Sequence, residues 1–323
     1  MKKKMRWLLP MILVLLCAVV TLGYTYLFVW SDDTTAPEIT IDTEVLEVSV
    51  NADDEVLLQG VSAIDDVDGD VTTNVLVEGV SNFWGDKTVT ITYAAFDAAG
   101  NVSKASRTLK YTDYKSPVFG LNNTLVLRAG STTDILKYVT AKDTIDGDIS
   151  KHVKGTLVSE TTSLSYSGVH QVEFRVTNSL GDTQRITLPV EVYENNTYNA
   201  TVNLGDEYLI YLKRGAAFRP EEYLKELVVG TVSYSLENQN PPIENLKREQ
   251  YELLGDDREL EVRTYINSYV DPEENEDPFV GIANVTIENN VINTIPGQYT
   301  VTYLVDYEER YVGYARLNVV VED

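Results

Sequence analysis

The sequence predicts an all-β protein: tandem small β-sandwiches preceded by one N-terminal transmembrane helix. Three observations lead there. The phrase Ala63-x-Asp65-x-x-Asp68-Gly69-Asp70-Val71-Thr72 returns as Ala141-x-Asp143-x-x-Asp146-Gly147-Asp148-Ile149-Ser150, so one unit has been copied. A second matched pair, Ala36-Pro37 and Ser116-Pro117, repeats at about 80 residues, a length that suits a small sandwich. Finally, Trp7 to Trp30 contains no charged side chain. These features divide the chain into a basic end (1–6), an apolar anchor (7–30), a first module (31–113), a second (114–195) and a third, degenerate one (196–323).

As a helix, residues 7–30 would rise about 36 Å, enough for a hydrocarbon core of roughly 30 Å with some tilt. Lys2, Lys3, Lys4 and Arg6 before it, and Asp32-Asp33 after it, place the N-terminus in the cytoplasm and the modules outside, at a single-pass position in the cell membrane. A cleaved signal peptide would end in small residues, whereas Tyr24-Thr25-Tyr26-Leu27-Phe28-Val29-Trp30 is bulky and reads as an interfacial aromatic belt. Cys17, the sole cysteine, lacks the small residue that would precede a lipidated cysteine and reads as a small apolar group.

The chain has 50 acidic and 26 basic residues, a net charge of −24, and every acidic residue lies beyond position 30. Such a surface repels nucleic acid and anionic lipid, and suits solubility, a basic partner or a cation. With no cysteine outside the apolar run, neither disulfides nor thiolate zinc sites can hold the modules.

Along the modules, short alternating runs are separated by Gly, Asn and Asp, with little helical periodicity. Val89 to Phe96, the turn Asp97-Ala98-Ala99-Gly100-Asn101 and Arg107 to Tyr111 make one hairpin; His170 to Val176, Asn178-Ser179-Leu180-Gly181-Asp182 and Ile186 to Val190 make its copy. Gly100 can take positive φ, and Asp97 can bind backbone amides further along the turn, so both shape it. Alternation sends Val172, Phe174 and Val176 to the core and Gln171, Glu173 and Arg175 to water. In the third module the strand Gly297-Gln298-Tyr299-Thr300-Val301-Thr302-Tyr303 matches Gly168 to Phe174 and its continuation, but the Asp-Gly-Asp phrase is missing. An acidic, proline-bearing insertion occupies about 238–278. Within it the alternation of Glu259 to Ile266 suits an added strand pair, and Asp271 to Pro278 reads as a mobile acidic loop.

Thr35-Ala36-Pro37-Glu38-Ile39, Ala63 to Thr72, and Tyr93 through Asp97-Ala98-Ala99-Gly100-Asn101 together resemble the bacterial surface Ig-like module of the hyalin-repeat type, also found in a pesticidal crystal protein. The resemblance covers residues 36–192 well; the second copy departs from it by carrying Asn178 and Asp182 where the first has Asp and Asn. It implies Ig-like sandwiches serving as structural or adhesive modules on exported Gram-positive proteins, and it implies no catalytic residues.

Asp65, Asp66, Asp68 and Asp70 crowd four carboxylates together, and Asp143, Asp146 and Asp148 repeat three of them. Carboxylates this close need solvent, protons or a shared cation, and calcium, with six to eight oxygen ligands, is the candidate. The spacing is not that of an EF-hand, and the alternative is a polar turn entering the next strand. No other cofactor is expected.

Only His152 and His170 are available as imidazoles, and no Gly-x-Ser-x-Gly elbow or His-rich metal motif occurs. The expectation is a non-catalytic surface stalk or adhesion module. The alternatives are a ligand-binding ectodomain, glycan-recognising or calcium-dependent, within a cell-wall assembly, and a carboxylate-based glycan hydrolase. The third module, with Tyr251, Tyr265, Tyr269, Tyr307, Tyr311 and Tyr314, is the expected contact for a surface protein or glycan, the anchor the expected contact for the bilayer.

Overall fold

A computed structural model describes residues 5–28, 33–158, 164–194, 198–229, 232–235, 247–252, 260–268, 283–307 and 311–323. Among the described residues the protein is all-β apart from one long helix and a few single turns, and it divides into two compact units, Met1–Tyr114 and Lys115–Asp323.

The first unit opens with α1 (Met5–Phe28). Its strands are β1 (Glu38–Ile41), β2 (Val45–Val48), β3 (Val61–Asp65), β4 (Gly69–Asp70), β5 (Leu76–Val80), β6 (Thr88–Phe96) and β7 (Val102–Tyr111). They form two sheets, β1-β3-β4 and β2-β7-β6-β5, antiparallel except where β2 runs parallel to β7. In β6 the period of two is plain: Val89, Ile91 and Tyr93 are fully buried while the threonines between them are half-buried. Leu109 of β7, Ala63 of β3 and Ala95 complete this centre with no exposure. Each large apolar chain so buried contributes about 1.5–3 kcal/mol.

The second unit repeats the plan. Its strands β8 (Val118–Leu121), β9 (Val126–Arg128), β10 (Val139–Asp143), β11 (Gly147–Asp148), β12 (Lys154–Leu157), β13 (Gly168–Thr177) and β14 (Thr183–Tyr193) form sheets β8-β10-β11 and β9-β14-β13-β12, again with one parallel pair, β9 with β14. The copied phrase therefore marks a copied topology. Val172, Phe174 and Val176 are buried, as their alternation requires.

Within this unit the chain continues into β15 (Ala200–Asn203), β16 (Leu209–Lys213), β17 (Glu226–Val229), β18 (Val232–Ser235), β19 (Lys247–Glu252), β20 (Leu260–Ser268), β21 (Ala283–Asn289), β22 (Gly297–Tyr307) and β23 (Tyr311–Glu322). All belong to one nine-stranded sheet, in which β20, the alternating run of the insertion, lies between β19 and β21. Residues 269–282, including the expected acidic loop Asp271–Pro278, fall outside the described residues. Leu317, Val319, Val301 and Tyr303 are fully buried and share one continuous core with Phe174 and Val190. Arg316 reinforces that continuity by donating from Nη2 to Glu191 Oε2 at 2.7 Å and to the Tyr314 hydroxyl at 2.7 Å, with Tyr314 stacked on Tyr198.

The expected membrane crossing and bilayer contact gain no support here: among the described residues no helix is long and apolar enough to cross a membrane. A helix does occupy the apolar run, but its described side chains are those of residues 11–24.

Candidate functional site

In the first unit the Asp-Gly-Asp loop is built by β3, β4 and the turn joining them. Asp65, the last residue of β3, accepts hydrogen bonds on Oδ1 from the amides of Val67 and Asp68, both at 2.9 Å, which folds the loop back on itself. Gly69 then takes φ +76°, a conformation that costs glycine nothing. Asp70 does different work: its Oδ1 accepts from the Thr72 amide at 3.0 Å at the start of a single 3-10 turn, Thr72–Asn74. Hydrogen bonds from the Thr72 side chain and amide hold the Asp70 carboxyl below the ordinary carboxylate range. Asp66 Oδ1 lies 2.6 Å from the Thr35 hydroxyl.

The loop meets two other pieces of chain. Asp68 Oδ2 accepts from the Ala98 amide at 2.7 Å, which fastens the loop to the β6–β7 hairpin turn. In that turn Asp97, only 7% exposed, accepts from the Asn101 amide on Oδ1 and the Asn101 side-chain amide on Oδ2, both at 2.7 Å. Burial pushes the Asp97 carboxyl up, but the donors on Asn101, Gly100 and Ala99 outweigh it and leave the group below its ordinary value. Asn101 also donates to the Asp33 carbonyl at 3.1 Å and so draws the start of the module into the same corner. Asp33, Asp65, Asp68 and Asp97 each bring one oxygen to a single point, all four atoms within 4.8 Å of one another. Asp65 is 4% exposed, and its Oδ2, like Asp33 Oδ2, is sealed from solvent without a hydrogen-bond partner.

The second unit builds the same corner with a different ending. Asp143 Oδ1 accepts from the amides of Ile145 and Asp146, Asp146 Oδ2 accepts from Ser179, and Asp148 Oδ1 accepts from Ser150, matching Asp65, Asp68 and Asp70 in turn. The Ser150 hydroxyl and amide hold the Asp148 carboxyl below its ordinary range, as Thr72 does for Asp70. Asn178 takes the place of Asp97 and donates from Nδ2 to Asp143 Oδ2 at 2.6 Å.

Of the seven acidic residues that the sequence singles out, the structure thus brings Asp65 and Asp68 into a four-carboxylate cluster. Asp70 and Asp148 accept from the first amide of a 3-10 turn, Asp66 faces Thr35, and Asp143 and Asp146 are engaged by Asn178 and Ser179. Asp33 and Asp97 are not legible as site residues in the sequence because they lie far from the loop along the chain. A signal is present in the comparison of the copies: Asp97 aligns with Asn178, and Asp33 with Asp113.

No family model and no curated protein matches the chain. Among solved structures, the CBM51-2 and INT domains of Clostridium perfringens ZmpB, in complex with GlcNAc, are 17% identical, covering 49% of this chain and 42% of that one at a TM-score of 0.20. A lipoprotein of Bacteroides thetaiotaomicron is 10% identical, covering 62% of this chain and 98% of that one at 0.22. Mouse cadherin-23 EC22-24 is 14% identical, covering 89% and 99% at 0.19. The chain therefore spans less than half of the Clostridium protein structure it matches.

Proposed function

We propose that this chain is a non-catalytic ectodomain, anchored in a cell membrane by residues 7–30, whose repeated Ig-like modules act outside the cell as a stalk that presents an interaction surface. The carrying observation is α1. From Met11 to Tyr24 every side chain except Gly23 is exposed, with Leu15, Met11 and Leu22 at 68–69%, an apolar surface that bilayer would cover and water would not. The basic residues before that run and the acidic units after it support a cytoplasmic N-terminus.

The reading of a stalk without catalysis draws on the acidic corners, whose carboxylates are engaged by turn amides and hydroxyls that fold the loops. The interaction surface is assigned to the sheet extension of the second unit, β19 and β20, because a spacer has no use for an acidic insertion there. Protease added to intact cells tests the proposal. Digestion of residues 33–323 while the chain stays in carbonate-washed membranes supports it; full protection in intact cells, or release of the chain by the wash, overturns it.

A further inference from the structure

We propose that the first unit binds one calcium ion between the carboxylates of Asp33, Asp65, Asp68 and Asp97, and that the second unit binds none because the Asn178 amide replaces the ion. The proposal stands on geometry inside each unit and is independent of whether the chain is anchored in a membrane.

Two carboxylate oxygens, Asp33 Oδ2 and Asp65 Oδ2, are sealed from solvent without a donor, in a corner that also holds Asp68 and Asp97. A desolvated carboxylate oxygen without a partner is costly, and four like charges converging on one point add to that cost. Protons would relieve it only one charge at a time. One divalent cation relieves all four at once. The donor set is oxygen alone, which selects a hard cation. Calcium–oxygen distances of about 2.3–2.6 Å place opposing ligands about 4.6–5.2 Å apart, in keeping with atoms gathered within 4.8 Å. Magnesium demands a tighter octahedron and keeps its waters, so it fits this corner less well.

The copy shows where the bare oxygen points. Asp143 Oδ2, the counterpart of Asp65 Oδ2, faces Asn178, the counterpart of Asp97, and receives its Nδ2 hydrogen at 2.6 Å. In the first unit the same pair is carboxylate against carboxylate, so the space between Asp65 and Asp97 needs a positive charge where the second unit has an N–H. The fourth ligand differs too. Asp113, which aligns with Asp33, belongs to the first unit, where it accepts from Ser49 Oγ at 2.6 Å and from the Val50 amide at 2.8 Å. Substitution of one ligand by an amide that donates to Asp143 removes the need for an ion in the copy.

The consequence is mechanical. Asp33 stands five residues beyond Phe28, the last residue of α1, while Asp65, Asp68 and Asp97 belong to the sandwich. A bound ion therefore clamps the chain that leaves the apolar segment onto the first module and stiffens that joint. An affinity in the range of extracellular modules, about 0.1–1 mM, would keep the clamp loaded outside a cell and release it in calcium-poor surroundings.

Calorimetric titration of calcium into the full chain in detergent, after stripping with chelator, tests this. The expected result is one equivalent per chain and a rise in the melting temperature of the first unit of roughly 5 °C or more at saturation. Asp97→Asn should weaken binding by at least about tenfold while leaving the chelated protein folded, because the new amide can donate to Asp65 as Asn178 does to Asp143. Asp33→Asn, outside the hairpin turn, should give the same loss, and Asp146→Asn should change nothing. Absence of heat and of any melting shift up to about 10 mM calcium, two equivalents per chain, or wild-type affinity in both Asp97→Asn and Asp33→Asn would overturn the proposal.

Discussion

Arg107 shows what one buried charge does in a unit without disulfides. It is 5% exposed, and its guanidinium donates to the Tyr93 hydroxyl at 2.8 Å, to Thr43 Oγ1 at 3.2 Å, and to the carbonyls of Leu57 and Gln59 at 3.0 and 2.8 Å. Asp42 is the nearby anion at 3.9 Å, and the cation also lies over the Tyr93 ring. Arg107→Ala would strand the Gln59 carbonyl and leave the Tyr93 hydroxyl only its own bond to the Leu57 carbonyl at 2.8 Å, and should cost about 1–3 kcal/mol, read as a lower melting temperature for the first unit. An unchanged melt would show that the network adds nothing. A second sensitive point is Gly60, at φ +73°, a conformation that side chains rarely adopt and where an added Cβ would also meet the Asp42 carboxylate. Gly60→Ala should therefore destabilise by roughly 1–2 kcal/mol. Neither residue carries a periodic signal, so neither was legible in the sequence.

The titrating residues give two windows of opposite sign. Asp70 and Asp148 have carboxyls depressed below 3.8 by their turn donors, so their contribution is present above that pH and is lost as pH falls through the lower folded value. The melting difference between wild type and Asp148→Ala should accordingly close as pH drops below about 4. In the second unit, burial and Glu191 raise the Tyr198 hydroxyl from 10.0 to about 12, and burial raises Tyr211 equally. The unfolded chain ionises these groups first, so stability is full below pH 10 and falls as pH rises toward 12. Tyr211→Phe should flatten that alkaline decline; an identical slope would contradict the assignment.

At the scale of elements, the hairpin turns were the most legible parts of the chain. Gly100 and Gly181 take φ +90° and +84°, and Asp97 and Asn178 bind the amide at the far end of their turns, as the turn chemistry of the sequence requires. The site was half-legible: the Asp-Gly-Asp phrase located Asp65 and Asp68, yet crowding along the chain also nominated Asp66 and Asp70, which the fold engages with Thr35 and a turn. Convergence in space depends on which loop meets which hairpin, and that is set by the pairing of β3 with β4 and by the Asp68 bond to Ala98. The inserted pair β19–β20 was legible from alternation, but its joining to β21 in a nine-stranded sheet was not, because edge partners leave no local pattern. If the insertion presents the interaction surface, deleting 238–278 should abolish crosslinking to a surface partner; unchanged crosslinks would remove that role.

At the scale of the whole molecule, the copied phrase foretold two sandwiches of one topology, and the strand orders β1-β3-β4 with β2-β7-β6-β5, and β8-β10-β11 with β9-β14-β13-β12, repeat each other. The chain beyond residue 195 does not stand apart in the same way. Its core is continuous with that of the preceding sandwich, and Arg316 joins Glu191 across the two stretches. The sequence could not show this, since burial of Leu317 against a neighbour reads the same as burial within a separate module. A molecule built of two units, the first of which holds the four-carboxylate corner found among the described residues, has a direct thermal signature. Differential scanning calorimetry of the full chain should resolve two endotherms, and calcium should raise only the one that Arg107→Ala lowers. A single transition, or one in which calcium moves neither endotherm or both alike, would contradict the account.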